Sequence, residues 1–403
     1  MNFAVMFEID TITIIISAAV IVMAIIGSFT NPFFRKIRFA EEDDETDDDS
    51  NATENAKNTG EEQSETVTPI TVLITTHDNS IELKNNLSAV LSQDYPDFQV
   101  VIVGEQCETE TEDLLKRMSA EHPNLYYTLI PEGSRYMSKK KLQITIGVKA
   151  SKNEWIILID PACKPDSDQW LKTMAANCSD ETNVVMGVTK YTDETKDYYR
   201  FDQLRDACYF LRRAQVKEPY GTNMHNVCFR KSEFMKGNGF LGNLQYIRGE
   251  YHFLINKYAD DFHTKLELSR KAWMTVDEPT QKAWRNCHLF YLSAQKELDG
   301  NMSMRLLRFF DHLVPHLSIV LSLAVIVFGI LTMNYIDIGA GSLAILILFF
   351  VRMGIAKCRM NKFDDDISAI KLPFYEWSVI CHNLINRIRY WKADKYNFTS
   401  HKL

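Results

Sequence analysis

The feature that most constrains this chain is a run of about nineteen residues without a charge, Thr11 to Phe29, reading TITIIISAAVIVMAIIGSF. At about 1.5 Å of rise per residue, a helix of that length crosses a hydrocarbon core. Two further apolar stretches, Leu313–Met333 and Gly339–Val351, are separated only by Asn334, Tyr335, Ile336, Asp337 and Ile338. They are expected to form a transmembrane hairpin, with spans over 313–333 and 339–356. Charges beside these stretches set the expected orientation, because Lys and Arg are retained on the cytoplasmic side. Glu8 and Asp10 precede the first span, whereas Arg35, Lys36 and Arg38 follow it. Arg305 and Arg308 precede the hairpin, and Arg352, Lys357, Arg359 and Lys362 follow it. The two patterns agree on a short external segment (1–10), a cytoplasmic middle and a cytoplasmic tail (357–403). That is a multi-pass protein of the inner (cell) membrane. A cleaved signal peptide needs a basic leading segment and a small-residue cleavage site, and the first span has neither.

Between the spans, residues 30–67 are expected as a linker. Its stretch EEDDETDDDSNATENAKNTGEEQSET has almost no apolar residue to bury, so it reads as a disordered tether. In the tail, Trp377, Ile380, Leu384, Ile388 and Trp391 recur at helical spacing among Arg387, Arg389 and Lys392. An amphipathic helix over 371–392 is expected, lying on the membrane surface or packed on the soluble domain. The net charge of -8 weighs against a nucleic-acid partner. Eight cysteines without a Cys-x-x-Cys pair fit reduced, mostly buried thiols.

From Ile70 the pattern alternates between β-branched runs and helical segments. ITVLITT, FQVVIV, LYYTLI and WIILID read as strands; IELKNNLSAVLSQ, TETEDLLKRMSAEH and KKLQITIGVKAS read as helices. This alternation predicts an α/β domain over 68–300 built on a mostly parallel, Rossmann-like sheet with helices on both faces. Ligands of such sheets bind beyond the carboxyl ends of the strands. The segments that reach that edge are Thr75–Asn79, Val103–Cys107 and Asp160–Pro165.

The succession ITVLITTHDN, LSQDYPDFQVVIV, a Lys-rich helix ending in Gly147, WIILIDPACKPDSDQWL, EPYGTNMHNVCFRKSEF, GFLGNLQYIRGEYHFLINKYA and EPTQKAWRNCHLFYL resembles family 2 glycosyltransferases of the GT-A fold. The likeness spans roughly 68–295, and its nearest pattern is that of membrane-anchored bacterial members. It implies a nucleotide-sugar site. Thr76, His77 and Asp78 stand where the family holds the nucleotide base. Glu105 stands where an Asp pair grips uracil and ribose. Lys140, between Lys139 and Lys141, stands at the lysine near the diphosphate. The three lysines read either as a phosphate cradle or as a solvated helix start.

Departures from the family pattern fall on its chemistry. Relatives read Asp-Ala-Asp-Cys at the metal-binding motif, where two carboxylates hold Mg²⁺ or Mn²⁺ against the diphosphate. This chain reads Asp160-Pro161-Ala162-Cys163, leaving Asp160 as the metal ligand. The family's catalytic base aligns with Tyr251, a poor base near neutral pH, so Glu250 and His252 become the candidates. Glu250 also reads as a cap of the following helix, and His252 as a residue on its surface. The diphosphate-gripping segment of processive members aligns with Cys287-His288-Leu289-Phe290-Tyr291. The resemblance implies transfer of a sugar to a lipid-linked or polysaccharide acceptor at the inner face of the membrane. The eroded motifs point to the alternative, an inactive pseudo-glycosyltransferase that partners another glycosyltransferase in surface-polysaccharide assembly.

Overall fold

A computed structural model of the chain describes residues 10–39, 67–77, 79–105, 109–131 and 138–399. Asp78, Cys107 and the expected tether over 41–66 lie outside the described residues. After α1 (Thr11–Phe29) come β1 (Ile70–Thr75), α2 (Ser80–Leu91), β2 (Phe98–Glu105), α3 (Thr109–Glu121), β3 (Leu125–Ile130), α4 (Lys139–Ala150) and β4 (Trp155–Ile159). The chain continues through β5 (Cys163–Pro165), α5 (Trp170–Ala175), β6 (Val184–Met186), β7 (Thr189–Tyr191), α6 (Asp197–Val216) and β8 (Asn226–Arg230). Then follow α7 (Lys231–Lys236), α8 (Glu250–Tyr258), β9 (Thr264–Leu266), β10 (Met274–Val276) and α9 (Gln281–Ala294). Last come α10 (Asn301–Thr332), α11 (Tyr335–Lys362) and α12 (Lys371–Lys392).

The main sheet runs β3-β2-β1-β4-β8-β6-β9. Its first four strands are parallel, and β8 is antiparallel to both β4 and β6. Every residue of β1 is buried, which is why its sequence is continuously apolar or β-branched rather than alternating. The strand's two-residue period still divides the core. Val72 and Ile74 pack with Leu83, Leu87 and Trp170 on one face, while Leu73 packs with Ile144, Val148 and Phe253 on the other. A small second sheet, β5-β10-β7, flanks the carboxyl end of β4. Parallel pairing brings the ends of β1, β2 and β4 to one edge, so Thr76, Glu105 and Asp160 emerge together there.

Three helices, α1, α10 and α11, are long and apolar enough to cross a membrane. α10 begins at Asn301 and α11 ends at Lys362, so both outrun the expected spans, and the connection shrinks to Met333 and Asn334. The turn is tight because Met333 takes a left-handed φ of 57° and the Asn334 side chain accepts from the Ile336 N–H, starting α11 at once. Arg305 and Arg308 therefore ride on α10 instead of preceding it. Small residues allow the three helices to approach closely: Ala24 packs with Ala340 and Ala344, and a Cβ on Gly27 would lie 3.2 Å from Leu348. Their outer surfaces expose Ile14, Ile15, Val22, Val327, Leu331 and Phe350, as lipid-facing helices do.

Two buried ionic knots tie the helices down, one joining them to α6 of the α/β domain and the other joining α11 and the end of α1 to α12. Asp311 of α10 accepts both Nη1 and Nη2 of Arg35 (2.6 and 2.5 Å) and the Tyr209 hydroxyl of α6 (2.8 Å). Glu376 of α12 accepts Arg352 Nε at 2.6 Å and Asn31 Nδ2 at 2.9 Å, while Arg352 Nη1 donates to the Gly27 carbonyl at 2.6 Å. Arg352 and Glu376 are only 4% and 6% exposed. Glu376→Ala thus leaves a buried guanidinium without its carboxylate and is expected to cost about 3–5 kcal/mol. Thermal melting of the full chain reads this as a fall in Tm on the order of 10 °C. Melting within a degree or two of wild type would show that the knot is not needed.

One face of α12 packs on α6, with Leu372 and Val379 beside Phe201 and Leu204, and its His382 stacks on Tyr198 at 4.4 Å. Its other face exposes Phe374, Ile380, Leu384, Ile388 and Trp391. The two alternatives open for this helix thus fall on its two faces: one packs on the domain, and the other is free to meet a membrane.

Candidate functional site

Two clusters meet at the carboxyl edge of the sheet, and the start of α4 joins them. Three lysines in the first turn of a helix oppose its dipole by roughly 0.3–1 kcal/mol each. Each of the three has its own compensating partner. Lys139 Nζ lies 2.6 Å from Glu105 Oε2 at the end of β2. Lys140 Nζ lies 2.6 Å from Asp160 Oδ1 just past β4, and 2.9 Å from Glu250 Oε1 at the start of α8. Lys141 is fully buried and donates to the carbonyls of Asn243 and Tyr246, both at 2.6 Å. Burial lowers the Lys141 pKa to about 8, with Glu250 acting in the opposite direction. With Ser138 Oγ donating to Ile247 at 2.6 Å, Lys141 pins the loop that delivers Glu250. The triplet therefore divides: Lys139 stays at the surface, whereas Lys140 and Lys141 turn inward to different partners.

The first cluster is ionic and partly enclosed. Asp160 Oδ1 accepts from the Tyr251 hydroxyl at 3.1 Å as well as from Lys140, and Oδ2 faces His225 Nδ1 at 3.4 Å. Burial works against the Asp160 charge, but Lys140, His225 and Arg248 outweigh it and hold the carboxyl well below its ordinary range. Lys140 responds in the opposite sense: burial alone would discharge it, and Asp160 and Glu250 raise it instead. Glu250 is 4% exposed, and although burial opposes its charge, Lys140 and Arg248 keep it ionised below its ordinary value. Its second oxygen, Oε2, is buried and makes no hydrogen bond. A buried carboxylate oxygen without a donor is costly and uncommon.

The second cluster lies beside it. His77 Nδ1 is 3.2 Å from Glu105 Oε2, the oxygen that Lys139 also approaches. The Thr76 N–H donates to the Val103 carbonyl at 3.0 Å, its own carbonyl accepts Gln143 Nε2 at 2.7 Å, and its buried hydroxyl makes no hydrogen bond. Asp78 lies outside the described residues.

His252, the other candidate base, points away from both clusters. It lies on the far side of α8 against the rings of Tyr291 (5.0 Å) and Phe210 (5.4 Å), with Nδ1 toward Gly221. Burial and then Arg308 lower its pKa to about 3, so it is neutral. The segment Cys287–Tyr291 lies on α9, where His288 Nε2 meets Asp202 at 2.7 Å and Trp284 stacks on Tyr199 at 4.4 Å.

Sequence reasoning missed three members of the first cluster: His225, Arg248, and Tyr251 as a hydrogen-bond donor. His225 is placed by β8 running antiparallel beside β4, in a register that pairs Asn226 with Ile159 and so sets His225 opposite Asp160. Nothing in the local sequence marks that neighbour. Arg248 stands two residues before Glu250, and its charge was the one available signal.

The donor set does not suit a divalent cation. Both Asp160 oxygens face protein groups, and Ala162 has no ligand atom. Burial raises the Cys163 thiol far above its ordinary value and so keeps it protonated. Among the described residues no group of three His, Cys, Asp or Glu side chains is placed to hold a metal ion. The place between Asp160 and Glu250 is taken by the Lys140 ammonium.

Residues 68–288 match the family described as "Glycosyltransferase like family 2", more than half of the 403 residues. No curated protein matches the sequence. Among solved structures, the mannosyltransferase PcManGT from Pyrobaculum calidifontis, in complex with GDP-Man and Mn²⁺, is similar with a TM-score of 0.50 and 14% identity. The match covers 93% of this chain and 98% of that one. Residues 1–349 of TarS from S. aureus, in complex with UDP-GlcNAc, are similar with a TM-score of 0.40 and 14% identity, over 78% of this chain and 92% of that one.

Proposed function

Since the chain belongs to the glycosyltransferase like family 2 and carries its GT-A fold, we propose that it binds a nucleotide sugar at the edge formed by Thr76, Glu105, Lys140 and Asp160. From there it transfers the sugar to a lipid-linked or polysaccharide acceptor at the inner face of the cell membrane. The observation that carries this reading is Glu250: an ionised, buried carboxylate with one oxygen on Lys140 and the other unpartnered. Such an oxygen is available to take a proton from an acceptor hydroxyl. Lys140 supplies the positive charge that faces the diphosphate and the charge growing on it as the sugar leaves. Asp160 holds Lys140 in place and keeps it charged. His77 and Glu105 offer hydrogen bonds to the nucleoside, and Asp78 is proposed with them from its place in the sequence. His252, neutral and turned toward rings, serves packing in this scheme.

A second reading has its own observation. Asp160, the remaining carboxylate of the metal motif, faces Lys140, Tyr251 and His225 and has no free oxygen for a cation. That favours a protein that binds a donor without turning it over and partners another glycosyltransferase.

Thermal melting of the full chain with GDP-Man, UDP-GlcNAc and their nucleotides, each with Mn²⁺ or with EDTA, tests the proposal. One donor class is expected to raise Tm equally in both conditions, since a ligand of the native state stabilises by mass action. A shift that requires Mn²⁺ would show that Lys140 does not replace the metal. No shift with any donor at millimolar concentration would sink the donor site. Donor binding without release or transfer of sugar to membrane extract would establish the second reading.

A further inference from the structure

The loop over 237–249, between α7 and α8, delivers Glu250. Asn238, Gly239, Gly242 and Gly249 in it take left-handed φ values of 57°, 57°, 98° and 99°. A backbone of this kind gains many conformations when it is released. The start of α4 grips it through Lys141, on the Asn243 and Tyr246 carbonyls, and through Ser138 Oγ, on the Ile247 carbonyl. A second grip comes from the segment after α12. There the chain makes one short turn, Lys395–Asn397, capped by the Asp394 side chain, which accepts the Tyr396 N–H at 3.1 Å. The Phe398 carbonyl then accepts the Ile247 N–H at 3.0 Å, and Thr399 forms an antiparallel bridge with Tyr246. Phe398 is 5% exposed, with its ring against Phe290 of α9 at 5.7 Å and Tyr390 of α12 at 5.2 Å. The two grips meet at Ile247: its N–H goes to Phe398 and its carbonyl to Ser138.

We propose that Phe398 and Thr399 form a strap that positions Glu250, with Phe398 as its anchor and a positioning residue for sugar transfer. The inference rests on the reading that Glu250 is the base. Only Arg248 and Gly249 separate Ile247 from Glu250, so the gripped backbone sets where the carboxylate stands. That carboxylate has to keep Oε1 at 2.9 Å from Lys140 while Oε2 stays open to the acceptor. A displacement of about 1 Å at a reacting group costs about 10²-fold in rate. The strap has the means to prevent it. A buried ring fixes the segment on α9 and α12, and its backbone pairs with the loop as an added strand pairs with an edge. Phe398 shares no hydrogen bond or ring contact with Lys140, Asp160 or Glu105, so it acts through the loop and not on the donor.

The test compares the full chain with its Phe398→Ala and Phe398→Leu variants in neutral detergent. Amide hydrogen exchange over 243–250 reads the loop, and melting and transfer with GDP-Man and UDP-GlcNAc read the site. In Phe398→Ala the Ile247 amide is expected to exchange at least about fivefold faster, the worth of one backbone hydrogen bond. The melting shift by donor is expected to stay, while kcat for transfer falls about 10–10²-fold and the donor KM stays within a few-fold. Phe398→Leu keeps an apolar anchor and the same carbonyl, so it is expected to restore both exchange and kcat. Removal of residues 393–403 is expected to reproduce the Phe398→Ala pattern and serves if that variant does not fold. Unchanged exchange in either overturns the proposal, and so does faster exchange with transfer undiminished. Loss of the donor's melting shift along with transfer overturns it as well, since the strap would then hold more than the Glu250 loop. A wild-type chain that responds to neither donor defeats the function proposed above; exchange in the same chains then decides alone whether the strap sets the loop.

Discussion

Glu250→Gln is expected to abolish sugar transfer while leaving donor binding nearly unchanged. Glutamine keeps the shape and can still accept from Lys140 Nζ, 2.9 Å from Oε1 in wild type. It cannot take a proton. General-base assistance is worth about 10²–10⁴-fold, so transfer falls by that factor with the melting shift by donor retained. Tyr251→Phe provides the contrast. The Tyr251 hydroxyl donates to Asp160 at 3.1 Å, and burial followed by the Asp160 charge raises its pKa far above the ordinary value. Its loss costs about 0.5–1.5 kcal/mol of stability and is expected to leave transfer within a few-fold of wild type. The reverse ranking, with Tyr251→Phe inactive and Glu250→Gln active, would return the base to the position the family alignment gives it.

Lys140→Ala carries the second large effect. It removes the ammonium held between Asp160 and Glu250 and leaves one half-buried and one buried carboxylate facing an anionic donor. Loss of one preorganised charge in such a site costs about 10²–10³-fold in rate, and the donor's melting shift is expected to vanish with it. The variant should also gain a property that wild type lacks. Asp160 and Glu250 become free to share a divalent cation, so Mn²⁺ alone is expected to raise the Tm of Lys140→Ala and not that of wild type. Lys140→Arg, which keeps the charge, is expected to retain donor binding. Undiminished donor affinity in Lys140→Ala would remove Lys140 from the site, and absence of the Mn²⁺ response would show that the two carboxylates do not converge once the lysine is gone.

Much of the molecule was legible in the order of its residues. The strand runs at Ile70, Phe98, Leu125 and Trp155 and the intervening helices appear where their periodicity puts them. The α12 helix spans the expected 371–392. These features are local: a two- or 3.6-residue apolar period needs only a neighbouring surface to bury against. The helix ends were less legible. Asn301 and Lys362 lie beyond the hydrophobic stretches because polar turns continue a helix once it is nucleated, and hydropathy does not register them.

Thr76, Glu105, Lys140, Asp160 and Glu250 were nameable from the sequence because each stands at a strand end or helix start of a repeating β/α pattern. Their partnerships were not. Adjacent lysines at 139, 140 and 141 go to three different destinations, since successive side chains at a helix start diverge by about 100°. His225 meets Asp160 only because β8 turns antiparallel beside β4, and His252 leaves the site because its neighbour on α8 takes the inward position. The sequence by itself determined which elements form, that three of them are apolar enough to cross a membrane, and which charged residues reach the edge of the sheet. Only the tertiary structure decided that a lysine stands where the family pattern would put a metal, because that depends on the distance between side chains brought together from positions 140, 160 and 250, which no local period encodes.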